Sequence, residues 1–130
     1  MRSRHFLLIA LTACAAGCAA TPLQAPEANS ILVTRNPPSE GCRFIGEVRG
    51  SQGNFVTSNL TKDENLVIGA RNQMRDAAYD LGANYVQVEL ENLSHNTADD
   101  SFGGVYNATV IGNAYLCPEL PDLRRAQAGH

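Results

Sequence analysis

Residues 61–93 decide the fold of this 130-residue chain and read TKDENLVIGARNQMRDAAYDLGANYVQVELENL. Thr61 and Glu64 have the spacing of a capping box, in which two side chains satisfy free amides of a first helical turn. Apolar residues then recur every three or four positions: Leu66, Ala70, Met74, Ala77, Ala78 and Leu81. Gly82 is the residue expected in a left-handed conformation after a helix. These features predict a capped helix that buries one face.

The end of the same stretch predicts a strand over residues 85–93. Apolar residues alternate with polar ones there, which is the period of a half-exposed strand. The apolar side consists of Val86, Val88 and Leu90, and the polar side of Gln87, Glu89 and Glu91. We therefore expect Glu89 and Glu91 to share one solvent-facing side.

Three further strands are predicted outside this stretch. Residues 31–34 form a short β-rich run that prolines stop, which is typical of an edge strand. Residues 42–50 and 105–117 are longer β-rich runs. In the first of these, Gly46 and Gly50 indicate a bend, a bulge or the close approach of another element.

The order of these elements predicts an α+β fold. It has a small, mainly antiparallel sheet with one packed helix, in the order β-β-α-β-β. The expected domain covers residues 31–118, and its composition, 44% hydrophobic and 18% charged, is that of a globular protein. Residues 119–130 are expected to be a flexible tail.

Residues 1–17 have the pattern of a signal peptide, because basic residues precede an uncharged run that ends in small residues. This run is shorter than the roughly 18 residues of a membrane-spanning helix. Two cysteines compete for lipidation. Cys14 has the better side-chain pattern before it, but Cys18 leaves a longer apolar run, so we expect cleavage before Cys18 and lipidation there, with Cys14 as the alternative.

The residues after the cleavage site predict the location of the protein. Residues 18–30 are alanine-rich and contain two prolines, which predicts an extended, lipidated tether. Ala19 follows the lipidated cysteine where an aspartate would favour retention in the inner membrane. We therefore expect a protein anchored by lipid in the outer membrane of the bacterial cell envelope, with its domain facing the periplasm.

The charge balance excludes one class of partner. Loss of Arg2 and Arg4 with the signal leaves eight basic and thirteen acidic residues, a formal charge of −5. Nucleic-acid binding relies on clustered lysine and arginine, and this sequence has a single lysine, Lys62. No nucleic-acid partner is expected, and an acidic domain gains nothing from anionic headgroups, so the lipid is the expected membrane anchor.

Cys42 and Cys117 are the two cysteines that remain in the domain. In an oxidising compartment such a pair forms a disulfide, and two buried free thiols are the alternative. The bond would close a 75-residue separation, for which chain entropy predicts about 4 kcal/mol of stabilisation.

The sequence contains no recognisable catalytic constellation or cofactor motif. His95 lies near Asp99 and Asp100, but without the ligand spacing of a metal site, so no metal and no cofactor are expected. Solubility explains Glu89 and Glu91 better than acid–base catalysis does. No catalytic residue is therefore assigned.

Several segments resemble one family. They are residues 42–50 (CRFIGEVRG), residues 72–75 (NQMR), Ala77-Ala78, residues 81–84 (LGAN) and residues 111–118 (IGNAYLCP). Together they resemble the YjeI-like small proteobacterial lipoproteins, the domain-of-unknown-function family DUF4156, over about residues 31–118. The resemblance implies an envelope lipoprotein and implies neither an activity nor site residues.

The sequence thus predicts a noncatalytic envelope lipoprotein that binds another component or takes part in an envelope stress response. The expected partners are the membrane, through the N-terminal lipid, and an envelope protein or glycan. The alternative is an envelope hydrolase with its site in the polar loop of residues 94–106.

Overall fold

The computed structural model describes residues 19–53, 63–95 and 105–123. One helix, α1 (Asp63–Leu81), packs on a sheet of four strands. The strands are β1 (Leu32–Thr34), β2 (Arg43–Gln52), β3 (Tyr85–His95) and β4 (Val105–Leu116). Their spatial order is β1-β3-β4-β2, in which β1 runs parallel to β3 and all other neighbours are antiparallel. The predicted α+β fold, its element order and the edge position of β1 are confirmed.

Helix α1 covers β2 and β4 with the face that the sequence predicts. Buried apolar side chains follow its predicted spacing, and they meet the inward residues of the sheet in one core. The core comprises Ala28, Ile31, Val48, Leu66, Ala70, Met74, Ala78, Ala83, Val86, Val88, Ala108, Val110 and Ala114. Leu81 is an exception because it lies at the helix end over the edge strand β2, where it stays half-exposed.

The helix ends as its glycine predicts. Gly82 has a φ of 84° and donates its N–H to the Tyr79 carbonyl, at 2.9 Å. The N–H of Ala83 reaches back to the Ala78 carbonyl, also at 2.9 Å. This pair of bonds is a Schellman motif, which satisfies carbonyls that the last turn leaves free. The predicted capping residue Thr61 lies outside the described residues.

Both glycines of β2 have the roles that the sequence indicates. The register of β2 against β4 shifts between Phe44 and Gly46, which is the predicted bulge. At Gly50 the helix backbone comes so close that an added Cβ would lie 1.8 Å from the Ala70 carbonyl oxygen. Gly50 therefore sets how closely α1 can pack on the sheet.

The predicted alternation of β3 is wrong beyond Val88, because β3 contains a bulge of its own. Val88 pairs with Gly112 and Leu90 with Ile111, so that Glu89 is an extra residue opposite β4. An extra residue reverses the faces of those that follow. Leu90 is accordingly 49% exposed, whereas the Glu91 side chain, 15% exposed, lies on the helix side.

Residues 19–30 differ from the extended tether that the sequence predicts. Pro26–Ser30 form a 3₁₀ helix against α1, and Ala28 is fully buried in the core. Upstream, Asn72 donates its Nδ2–H to the Thr21 carbonyl, at 2.8 Å, and Asp76 accepts the backbone N–H of Gln24, at 3.0 Å. The packed domain therefore starts well before residue 31, because polar side chains of α1 satisfy the backbone of this segment.

Within the described part of the chain, no helix has the length and apolar character needed to cross a membrane.

Candidate functional site

A disulfide joins Cys42, directly before β2, to Cys117, directly after β4. The sulfur atoms are 2.04 Å apart, which confirms the predicted pair. The Cα atoms are 4.1 Å apart, slightly less than the range of about 4.4–6.8 Å expected for disulfides. The bond ties the start of the edge strand to the end of the central strand, and Cys117 itself is buried.

A cleft of about 490 Å³ opens beside this disulfide. One wall comes from the start of β2 and the segment before it, and the other from the end of β4 and the segment after it, with Asn84 contributed from directly before β3. The lining residues are Gly41, Arg43, Asn84, Leu116, Cys117, Pro118, Leu120 and Asp122. Arg43 is exposed at its rim, and Asp122 supplies the opposite charge. The cleft therefore combines an apolar lining with a few charged groups, as ligand sites commonly do.

Asn84 holds the wall of the cleft that follows β4. Its Oδ1 accepts the Cys117 N–H at 2.8 Å, and its Nδ2 donates to the carbonyls of Cys117 at 2.9 Å and of Leu120 and Pro121 at 3.3 Å. Asn84 is also the buried polar residue of the described core. Because its amide is fully used within the fold, it shapes the cleft and leaves recognition to other groups.

Glu119 and Ser39 lie next to the disulfide. The Ser39 hydroxyl donates to the Glu119 carboxylate, and this bond holds the pKa of Glu119 below its ordinary value. Glu119 Oε1 also lies 3.7 Å from Cys42 Sγ. The sulfur atoms of Cys42 and Cys117 and a carboxylate oxygen of Glu119 lie within 4.8 Å of one another. Cysteine binds a metal ion as a thiolate, however, and the disulfide leaves neither cysteine in that form.

Near the disulfide, a group of aromatic side chains lies on the face of the sheet that points away from α1. The Phe44 ring, 56% exposed, packs edge-on against Tyr115 with a centroid distance of 5.7 Å, and Tyr115 packs against Tyr85 at 6.2 Å. The Tyr85 hydroxyl donates to the Asn36 carbonyl at 2.8 Å. Burial and, to a smaller extent, the neighbouring Tyr115 raise the pKa of Tyr85 above its ordinary value.

The two acidic residues of β3, Glu89 and Glu91, do not lie side by side on one face of the sheet. The bulge leaves Glu89 exposed, where it accepts the Nδ2–H of Asn113 at 3.0 Å. Glu91, on the helix side, accepts from Arg71 Nη2 at 2.7 Å. The expectation that both carboxylates share one solvent-facing side is therefore wrong, because strand alternation does not continue through a bulge.

Other predicted features lie outside the described residues. They include the signal peptide, both lipidation candidates Cys14 and Cys18, the acids Asp99 and Asp100, the side chain of His95, residues 96–104 of the candidate hydrolase loop, and residues 124–130 of the tail. Two residues of the cleft, Asn84 and Arg43, were not predicted as site residues, although they lie in the segments that carry the family resemblance. Asn84 carries a signal in the LGAN turn, but its partners 33 to 37 residues away are known only from the fold.

Comparison with known proteins relates this chain to one family. Residues 23–117 match the family model described as domain of unknown function (DUF4156). The chain is 25% identical over 107 residues to the uncharacterized protein YjeI of Escherichia coli K12, which covers 79% of this chain and 86% of that protein. The same values hold for YjeI of Shigella flexneri. The match begins in the segment that docks on α1 and ends at the second cysteine of the disulfide, and this chain belongs to the DUF4156 family.

Proposed function

We propose that this protein is a lipid-anchored lipoprotein of the outer membrane whose noncatalytic domain binds another envelope protein through the cleft beside the disulfide. The anchor rests on the sequence before Cys18, and the disulfide supports an oxidising compartment such as the periplasm. Membrane fractionation tests the anchor. Cys18→Ala should release the protein from the outer membrane, whereas Cys14→Ala should leave it there if processing is intact.

The observation that carries the binding proposal is the fixed geometry of the cleft. The disulfide holds one wall to the other, and Asn84 bonds to three carbonyls of the segment after β4. A site that is already ordered loses little conformational entropy when a ligand binds. The cleft is therefore better suited to recognition than a mobile surface would be.

The lining of the cleft favours a protein partner. Leu116, Pro118 and Leu120 offer apolar surface, and the Arg43 guanidinium stands at the rim. Such a combination fits a peptide segment that presents an apolar side chain next to a carboxylate, since guanidinium and carboxylate form paired hydrogen bonds. Sugar rings usually need more hydroxyl-directed donors and acceptors than this lining provides.

The same lining supports a noncatalytic role. Among the described residues that line it, Asp122 is the single carboxylate, and Cys117 is oxidised. General acid–base catalysis requires a proton donor and a proton acceptor at the reacting atoms. The alternative hydrolase in residues 94–106 stays an expectation from the sequence.

The experiment compares two arginines of the same strand. Arg43 lines the cleft and Arg49 does not, and both are exposed. Full-length wild type, Arg43→Gln and Arg49→Gln are crosslinked in intact cells and purified, and captured proteins are quantified by mass spectrometry against an unrelated domain with the same anchor.

We expect one envelope protein to be enriched with wild type and Arg49→Gln and reduced at least about fivefold with Arg43→Gln. Enrichment of glycan in place of protein would contradict the proposed partner class. No enrichment over the control domain, or equal capture by both variants, would contradict the assignment of the cleft.

A further inference from the structure

Three arginines gather where α1 meets the edge of the sheet formed by β1 and β3. Arg71 and Arg75 stand one turn apart on α1, Arg35 directly follows β1, and Glu91 of β3 contacts Arg71 and Arg35. Arg71 Nη2 is 2.7 Å from Glu91 Oε2, and Arg35 Nη2 is 3.7 Å from the same oxygen. We call these four side chains the arginine groove.

The arginine groove has an excess of positive charge in an acidic protein. Three guanidinium groups and one carboxylate give it a formal charge of +2, whereas the whole chain has −3. Arg71 and Arg35 both contact the same oxygen, Oε2, of Glu91. The single negative charge of Glu91 thus leaves two of the three guanidinium charges unbalanced among these four side chains.

Of the three arginines of the groove, Arg75 is the one that makes no hydrogen bond or ion pair with the described residues. Its Nε–H is buried and unpaired there, and so is the Nε–H of Arg71. Burial lowers the pKa of Arg75, and the positive charge of Arg71 lowers it further. A buried donor without an acceptor destabilises a fold, and so does repulsion between like charges one turn apart.

Folding alone does not explain this arrangement. The hydrogen bond from Arg71 to Glu91 joins α1 to β3, which gives these two side chains a role in the fold. Arg75 adds no such bond, and Arg35 is largely exposed with only a long contact. The unused donors belong to guanidinium groups. Unlike the ammonium group of lysine, a guanidinium group can bind an anion through two parallel hydrogen bonds.

We infer that the arginine groove binds the phosphate group of a ligand. A phosphate monoester carries close to two negative charges at neutral pH, which matches the +2 of the groove. Its oxygens would accept from the guanidinium of Arg75 and from the free donors of Arg71 and Arg35. This site is separate from the cleft beside the disulfide and does not depend on the function proposed for that cleft.

Arginine-detected NMR of the full chain tests the inference. The ¹H–¹⁵N signals of the arginine Nε–H groups are followed while inorganic phosphate is added, with sodium chloride at equal ionic strength as the reference. We expect saturable shifts of the Arg71 and Arg75 signals with phosphate and not with chloride. Arg75→Gln should weaken binding at least about tenfold, because charge-assisted hydrogen bonds are lost. Arg49→Gln, in an exposed arginine of β2, should bind like wild type.

A second arm distinguishes the source of the phosphate. Phosphatidylcholine vesicles with and without phosphatidic acid are tested by co-sedimentation with the same variants. Saturation by inorganic phosphate indicates a soluble ligand, and Arg75-dependent binding to the phosphatidic acid vesicles alone indicates a lipid headgroup. If neither probe binds, or if Arg75→Gln and Arg49→Gln bind equally, the inference is wrong.

Discussion

The disulfide end of the sheet and the arginine groove use polar groups in opposite ways. At the disulfide end, Asn84 has partners for both its amide oxygen and its amide nitrogen, and Cys117 is covalently bonded. In the arginine groove, the Nε–H groups of Arg71 and Arg75 are buried without partners among the described residues. Polar groups of the first region serve the fold, whereas in the second region the Arg75 guanidinium is bonded to none of the described residues.

Substitutions in the two regions should therefore differ in their effect on stability. A substitution at the disulfide end removes interactions that the native state makes and the unfolded state does not, so it should destabilise the protein. A substitution of Arg75 breaks no hydrogen bond or ion pair between described residues, so it should leave the free energy of unfolding almost unchanged.

Removal of the disulfide should have the largest effect. The double variant Cys42→Ala/Cys117→Ala should lose about 4 kcal/mol of unfolding free energy, since the unfolded chain regains the freedom of a loop that spans 75 residues. Urea unfolding followed by circular dichroism measures this loss. A reductant should destabilise wild type by a similar amount and leave the double variant unchanged. A loss below about 1 kcal/mol would show that the bond contributes little to the stability of this end.

Asn84→Ala should have the next largest effect, about 3 kcal/mol. It leaves the buried N–H and carbonyl of Cys117 without their partner and frees the chain at Leu120 and Pro121. Asn113→Ala is the matched control, because this amide makes a single exposed bond to Glu89 and should cost less than about 0.5 kcal/mol. Equal losses in the two variants would contradict the structural role assigned to Asn84.

Arg75→Gln should have the smallest effect on stability, within about 0.5 kcal/mol of wild type. The substitution removes a charge that burial and Arg71 both disfavour, and it breaks no bond of the described residues. Arg71→Gln is the comparison, since it breaks the bond to Glu91 and should cost up to about 1 kcal/mol. A loss above about 1 kcal/mol for Arg75→Gln would place this residue among the stabilising contacts, as at the disulfide end.

Much of this fold was predictable because its signals are local. The apolar spacing of α1, its end at Gly82, the strand patterns and the bulge near Gly46 are all confirmed. Each of these features depends on residues within a few positions of one another. The disulfide was predictable for another reason: once the N-terminal cysteines are assigned to the signal and the lipid, two cysteines remain to pair.

The candidate sites were less predictable. Arg43 and Asn84 belong to different segments, and the cleft exists because β2 and β4 pair and carry these segments together. The groove depends even more on the fold, since Glu91 reaches Arg71 only through a bulge that no glycine or proline marks in β3. Strict alternation would have turned Glu91 away from the helix.

By itself, the sequence determined which segments form the helix and strands, where the helix ends, and which two cysteines bond. Only the tertiary structure decided that β1 pairs in parallel with β3, that residues 19–30 dock on α1, and that Arg35 and Arg71 meet on one carboxylate. The physical reason is the range of the interactions. Periodicity and turn chemistry act between neighbours in the chain, whereas strand partners, bulge positions and charge clusters depend on which distant surfaces fit together when the core closes.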